Sequence, residues 1–216
     1  MKNNIFYITI LFFLIPTLAM SQDRKEISKE EQSEISATLN AFTRNISSIQ
    51  ANFVQEKVFS FMEDKLIAQG LFLFVSPDKI RWEYQKPYPY IIIMSDGKMQ
   101  VNDEGDMYSM DMRSNQLFQQ MNTLITKSIK GELLSESMDY DQTFYKNDQY
   151  YIVSFSPKNP QLRNYLSAIE IYFSKENGQV LALKMIEAAG DYTFIKFSDR
   201  IENEDIDKAH FKFLSK

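Results

Sequence analysis

The sequence predicts a mainly β protein with a few helices, built on one large, strongly curved antiparallel sheet or barrel of about eleven strands. The chain has 17 Phe and 12 Tyr but only 6 Gly among its 216 residues, and aromatic residues favour strands. Short apolar segments recur along it, separated by turn dipeptides such as Asp96-Gly97 and Asn177-Gly178. So many strands must curl or split, which favours a curved sheet or barrel.

The stretch 70–98 is the clearest part of this sheet. Ile80, Trp82 and Tyr84 alternate with polar residues, which is typical of a strand with one apolar face. The runs 71–75 and 91–94 are apolar at every position, so both of their faces need a cover. A second sheet, helices of the same chain, or a ligand could supply it.

Strands are expected along most of the chain, joined by short turns. In order they are 49–58, 66–75, 80–85, 91–94, 98–101, 107–112, 144–145, 150–156, 168–174, 180–188 and 191–198. Residues 158–166 are expected to form a loop or a short helix that starts near Pro160. The tail, 201–213, is expected to add a short edge strand.

Two helical regions are predicted. Ser28-Lys29-Glu30-Glu31 fits a capping box, and a helix with one apolar stripe follows, which we expect to pack on the sheet. The stripe consists of Ile35, Leu39, Phe42, Ile46 and Ile49. A helical insert at about 114–138 carries its own apolar face, which either belongs to the core or covers a cavity as a lid. The candidate lid residues are Leu117, Met121, Leu124 and Ile125.

The first 21 residues have the pattern of a signal peptide, with Lys2, an apolar segment at 5–18, and Ala19-Met20-Ser21 as a cleavage site. Residues 22–216 are expected to form a single domain. The chain has no cysteine, so we expect no disulfide and no lipid-modified cysteine as a membrane anchor. The expected location is the periplasm of a bacterium or the outside of the cell.

The sequence lacks the residues that most common catalytic sites require. The only histidine is His210, near the end of the chain, and without cysteine a common zinc or copper site is not expected. A net charge of −5 without a basic stripe argues against nucleic-acid binding. The acid pairs Asp139/Asp141 and Glu202/Glu204 leave a hydrolase as a remote alternative. We expect neither enzyme activity nor a cofactor, and the excess of apolar surface favours a carrier of an apolar molecule.

Several segments resemble the LolA family of periplasmic lipoprotein carriers. They follow the family in order over most of the residues after the signal peptide. They are 49–55 (IQANFVQ), 70–73 (GLFL), 76–84 (SPDKIRWEY), 86–88 (KPY), 95–98 (SDGK) and 211–213 (FKF). The resemblance is specific up to residue 138 and weak beyond it.

This resemblance implies an incomplete, open β-barrel of about eleven strands with a helical lid. It implies a monomeric periplasmic carrier that holds the acyl chains of lipoproteins in a hydrophobic cavity. Such a carrier takes lipoproteins from an inner-membrane ABC transporter complex and delivers them to an outer-membrane acceptor. The alternative within the same fold is a lipid- or lipoprotein-sensing module of the envelope-stress response.

On this interpretation we expect one set of apolar side chains to line the concave, acyl-binding face: Phe53, Leu71, Leu73, Trp82, Tyr84, Ile91 and Ile93. Which parity of each strand faces inward is an assumption, since a shift of one residue exchanges the two faces. One family position differs. Well-known members have an arginine before the proline of the turn that helps to hold the lid shut, and this chain has Ser76 there.

Overall fold

The structure is a computed structural model that describes residues 24–112, 123, 126–127 and 139–212. These residues form one 12-stranded sheet in which neighbouring strands are antiparallel. The strands are β1 (Lys25–Glu26), β2 (Ser48–Val58), β3 (Leu66–Val75), β4 (Lys79–Lys86), β5 (Tyr90–Ser95), β6 (Lys98–Asp103), β7 (Asp106–Asp111), β8 (Tyr140–Lys146), β9 (Tyr150–Pro157), β10 (Leu166–Ser174), β11 (Val180–Glu187) and β12 (Tyr192–Glu202). The mainly β prediction is confirmed.

The sheet consists of two meanders joined at their ends. Its order is β1-β8-β9-β10-β11-β12-β2-β3-β4-β5-β6-β7, so the last strand pairs with the first long one. Phe197 of β12 stands opposite Phe53 of β2 in that pairing. Within the described part of the chain, β1 and β7 are the two edges and do not pair with each other, so the sheet is open.

Helix α1 (Lys29–Thr43) begins as the sequence predicts, because the Ser28 hydroxyl accepts a hydrogen bond from the Glu31 amide at 3.4 Å. Ile35 and Leu39 are buried against β8–β11. The predicted stripe is wrong beyond that point. Phe42 is largely exposed, and the helix ends before Ile46 and Ile49 because the chain must turn into β2.

The segment after β9 contains a short helix, α2 (Pro160–Arg163), as predicted. The tail differs from its prediction. Instead of an edge strand it forms a 3-10 helix, Lys208–Phe211, started by the Asp207 carboxylate, which accepts a hydrogen bond from the Ala209 amide at 2.8 Å. Phe211 at its end is buried on the sheet, so a contact between side chains replaces strand pairing.

Two predicted regions fall on residues that the structure does not describe. The signal peptide, 1–21, lies outside the described residues, as do all four candidate lid residues. They are Leu117, Met121, Leu124 and Ile125. Of the insert 114–138, the structure describes only Thr123, Thr126 and Lys127, which are helical. No helix among the described residues has the length and hydropathy needed to cross a membrane.

Candidate functional site

Aromatic rings converge on one face of the sheet around Trp82, the only tryptophan of the chain. Its ring centroid lies 4.5 Å from that of Phe72, 5.1 Å from Phe53 and 6.0 Å from Phe197. Trp82 and Phe197 belong to β4 and β12, which have β2 and β3 between them. In a flat sheet these strands would be roughly 14 Å apart. The contact therefore shows that the sheet bends toward this face, which is its concave side.

The local sequence makes this convergence possible at Gly70. A Cβ atom there would lie 1.9 Å from the Glu83 carbonyl oxygen and 2.9 Å from the Phe53 ring. The β3–β4 pairing shifts register between Gln69 and Gly70, so the backbones approach closely at this point. Only glycine leaves room for the Phe53 ring beneath Trp82 and Tyr84.

The rings of the Trp82 cluster form an aromatic wall: Phe53, Phe72, Trp82, Tyr84 and Phe197. Tyr84 lies at the end of this wall that is nearest the β2–β3 turn. Its hydroxyl donates a hydrogen bond to Gln55 Oε1 at 2.9 Å, and its ring stacks on Tyr90 with centroids 4.1 Å apart. Burial raises the pKa of the Tyr84 phenol far above its ordinary value. The group is therefore a neutral, hydrogen-bonded part of an otherwise apolar wall.

The concave face continues across both meanders. Phe197 packs against the cluster under α1 and also against the cluster around Trp82. Helix α1 covers the β8–β11 half. Ile46, just before β2, and Met112, just after β7, also belong to the Trp82 cluster.

The seven predicted lining residues do not share a face. Phe53, Trp82 and Tyr84 belong to the concave Trp82 cluster. The other four lie on the convex side: Leu71, Leu73, Ile91 and Ile93. They pack with Phe211 and Ile206 of the tail, which is held by a hydrogen bond from Arg81 Nη1 to the His210 carbonyl at 3.1 Å. The parity assumed for β3 and β5 is thus wrong by one residue, and the tail supplies the second cover that their apolar runs require.

Sequence reasoning missed Phe72 and Phe197 as members of the Trp82 cluster. Phe72 stands opposite Trp82 in the β3–β4 pairing. The turn at 76–78 carries a usable signal for it, since a hairpin centred on Pro77 pairs positions 72 and 82. Phe197 had no such signal, because its neighbour β2 lies far away in sequence and pairs with β12 only in the folded sheet.

The remaining polar candidates lie apart from the Trp82 cluster. Asp139 and Asp141 are exposed, and Asp141 pairs with Lys158 at 3.5 Å. Glu202 pairs with Arg200 at 2.6 Å, and His210 is exposed on the 3-10 helix. Among the described residues no group of three or more His, Cys, Asp or Glu side chains could hold a metal ion.

A cavity of about 410 Å³ lies at the β4–β5–β6 end of the sheet. Its lining mixes acids, amides and apolar groups: Glu83, Tyr84, Gln85, Pro89, Tyr90, Ile91, Asn102 and Glu104. Glu83 is itself engaged by Arg81 at 2.6 Å. Tyr84 belongs both to this lining and to the Trp82 cluster, so the hollow adjoins the aromatic wall.

The chain is similar to known proteins in sequence. Residues 44–214 match the family model described as outer membrane lipoprotein carrier protein LolA. The chain is 26% identical over 160 residues to an outer-membrane lipoprotein carrier protein of Xanthomonas oryzae, covering 74% of each chain. It is 24% identical over 205 residues to one of Chromobacterium violaceum, covering 93% of each. A solved LolA superfamily protein from Nitrosomonas europaea is 10% identical with a TM-score of 0.44, covering 84% of this chain and 97% of that one. The family match spans most of the sequence, and the chain belongs to the LolA family.

Proposed function

We propose that this protein is a periplasmic carrier that holds the acyl chains of lipoproteins on the concave face of its sheet. The observation that carries the proposal is the convergence of the Phe53, Phe72 and Phe197 rings on Trp82. A curved apolar wall suits a hydrocarbon chain, which offers no polar group for a specific hydrogen bond. The relatives named as outer-membrane lipoprotein carrier proteins support lipoproteins as the cargo.

The free energy gained when a hydrocarbon chain moves from water into the site limits how the carrier can release its cargo. Each methylene moved from water into an apolar site gains about 0.8 kcal/mol, so a chain of about sixteen carbons gains on the order of 10 kcal/mol as an upper bound. A carrier with that full affinity would not release its cargo. The site must therefore be costly to open, and side chains that fill it when empty lower the net affinity by the free energy of their displacement.

Ile46 and Met112 are the described side chains placed to act in this way, since both pack in the Trp82 cluster. Methionine suits such a role because its unbranched side chain repacks easily. The four candidate lid residues stay a prediction from the sequence with the same expected action.

The wider route is also part of the proposal. The carrier would receive lipoproteins from an inner-membrane ABC transporter complex and deliver them to an outer-membrane acceptor, acting as a monomer without enzyme activity. The predicted signal peptide and the names of the relatives support a periplasmic location.

A synthetic triacylated lipopeptide and native mass spectrometry test the proposal, with a pair of phenylalanines as matched variants. Phe72 and Phe211 are both buried, but they lie on the concave and the convex side. We expect the wild type to bind one lipopeptide. Phe72→Leu should weaken binding about fivefold, because the ring lines the site, whereas Phe211→Leu should leave it within about twofold.

Two results would contradict the proposal. One is a wild-type chain that stays free of lipopeptide at saturating concentration. The other is equal weakening by both variants, since that would trace the loss to general destabilisation instead of the concave face.

A further inference from the structure

The β2–β3 hairpin carries an apolar surface that the rest of the sheet leaves uncovered. Phe61 at the turn is 78% exposed, and Leu66 and Ile67 at the start of β3 are 57% and 48% exposed. The Phe61 ring contacts that of Phe59, with centroids 5.4 Å apart. Large apolar side chains exposed together mark an interaction site more often than single ones do.

The hairpin projects beyond its neighbour in the sheet. β3 pairs with β4 only from Gln69 onward, so among the described residues none pairs with 66–68 on that side. Consecutive strand residues point to opposite faces, which places Leu66 and Ile67 on opposite sides of the hairpin. Apolar side chains are therefore exposed at the tip and on both faces.

Other exposed aromatic residues lie at the same end of the sheet. Tyr88 sits in the β4–β5 turn, next to the strand end where Lys86 pairs with Gln69. Tyr165 precedes β10, whose first residue, Leu166, pairs with Glu187 at the end of β11. Tyrosine favours the boundary between apolar and aqueous phases.

We propose that this end of the sheet, led by the β2–β3 hairpin, docks on a lipid bilayer by shallow insertion of Phe61, Leu66 and Ile67. A protein partner would cover one face of the hairpin, whereas a bilayer surrounds an inserted tip on all sides and so covers Leu66 and Ile67 together. Phe61, Leu66 and Ile67 lie outside the Trp82 cluster, so the proposal goes beyond acyl-chain carriage and does not depend on it.

The charges of the hairpin indicate which kind of bilayer contact to expect. At its base Lys57 pairs with Glu187, and Lys65 pairs with Glu56 at 2.9 Å. Glu63 and Asp64 follow Phe61 closely in the turn, and their carboxylates would stay in the headgroup layer and limit the depth of insertion. With its lysines paired to acids, the hairpin should bind through apolar contact and need no anionic lipid.

Flotation with vesicles of phosphatidylethanolamine and phosphatidylcholine, free of any other protein, tests the proposal. The chain offers a matched pair of isoleucines: Ile67 is 48% exposed on β3, and Ile201 is 47% exposed at the opposite end of β12. The wild type should float with the vesicles. Ile67→Asp and Phe61→Asp should each lower the partition coefficient at least about tenfold, and Ile201→Asp should change it less than about twofold.

Three further readings make the test decisive. Raising NaCl from about 50 mM to about 500 mM should leave flotation nearly unchanged, because exposed charges are screened but apolar contact is not. In a Trp82→Phe background, Phe61→Trp should show a blue-shifted emission with vesicles. Lipopeptide binding measured without vesicles should be unchanged in Ile67→Asp, which separates this proposal from the carrier function and shows that the variant is folded.

The docking proposal is overturned if the wild type does not float, or if Ile201→Asp loses flotation as much as Ile67→Asp. Loss of flotation at high salt would also overturn it, since the contact would then be electrostatic.

Discussion

Arg24 Nη1 donates a hydrogen bond to Glu170 Oε1 at 2.5 Å, which ties the segment before β1 to the middle of β10. The Glu170 side chain is only 3% exposed. Its other oxygen accepts a hydrogen bond from the Tyr172 hydroxyl at 2.9 Å, and the Arg24 guanidinium also lies over the Tyr145 ring at 4.5 Å. A buried carboxylate on the convex side thus has its counter-charge in the first described residue of the chain.

Removing this counter-charge should destabilise the fold. We expect Arg24→Ala to lower the free energy of unfolding by about 1–3 kcal/mol, because the Tyr172 hydroxyl is then the one partner of the Glu170 carboxylate that the described residues supply. The figure is below that of a fully buried pair because the Arg24 side chain is 44% exposed. Urea unfolding measures the change, with Lys25→Ala at the next, exposed position as the control. Equal stability of the two variants would show that the Arg24–Glu170 contact contributes nothing.

Gly70 should tolerate no side chain. Gly70→Ala places a Cβ atom against the Glu83 carbonyl and the Phe53 ring, and strands β3 and β4 must separate to admit it. We expect a loss of at least about 1–3 kcal/mol in urea unfolding, together with a red-shifted Trp82 emission as the wall opens. Gln69→Ala, the exposed neighbour, should stay within about 0.5 kcal/mol of the wild type. A Gly70→Ala protein with wild-type stability and emission would contradict the close approach.

The fold should lose stability in alkaline solution through two buried phenols, Tyr84 and Tyr172. Burial raises the pKa of both above the ordinary value. The unfolded chain therefore releases these protons at lower pH than the folded one. The contribution is complete below about pH 10 and falls as the pH rises above it, by up to about 1.4 kcal/mol per pH unit for each group.

Urea unfolding between about pH 8 and pH 11 tests this dependence. The Tyr84→Phe/Tyr172→Phe protein should show a shallower decline than the wild type. Phe197→Leu serves as the control, because it removes apolar contacts and should lower stability by a similar amount at every pH. An unchanged slope in the double variant would refute the assignment to these two tyrosines.

The strands could be predicted because their patterns are local. β4 alternates apolar and polar residues, and the turns at Asp96-Gly97 and Asn177-Gly178 have the expected dipeptides. Strand β1 could not be predicted, since its two residues are both polar and show no alternation. They pair with β8, which lies far along the chain. The helix stripe extended too far because Ile46 and Ile49 fit a helical and an extended phase equally well.

The face of β3 and β5 could not be obtained from alternation, because every residue in their apolar runs could point either way. The convex side is covered by Phe211, which lies more than a hundred residues later in the chain. The sequence around Leu73 and Ile93 therefore carries no signal that this face is buried. Trp82, Tyr84 and Phe53 share one cluster, because each lies in a strand whose apolar residues share one face. Their role in lining an acyl-chain site stays a prediction.

Quenching of Trp82 fluorescence by brominated acyl chains tests the central claim most directly, since bromine quenches an indole only at contact. The chain has a single tryptophan, so the signal reports one position. The control protein moves it to the convex side as Trp82→Phe/Phe194→Trp, at a residue that packs in the outer cluster of Tyr172 and Ile152. We predict saturable quenching of the wild type by the brominated chain, a blue shift without quenching by the unbrominated one, and an unquenched control. Quenching of the control as strong as that of the wild type, or none in either protein, would contradict acyl-chain binding on the concave face.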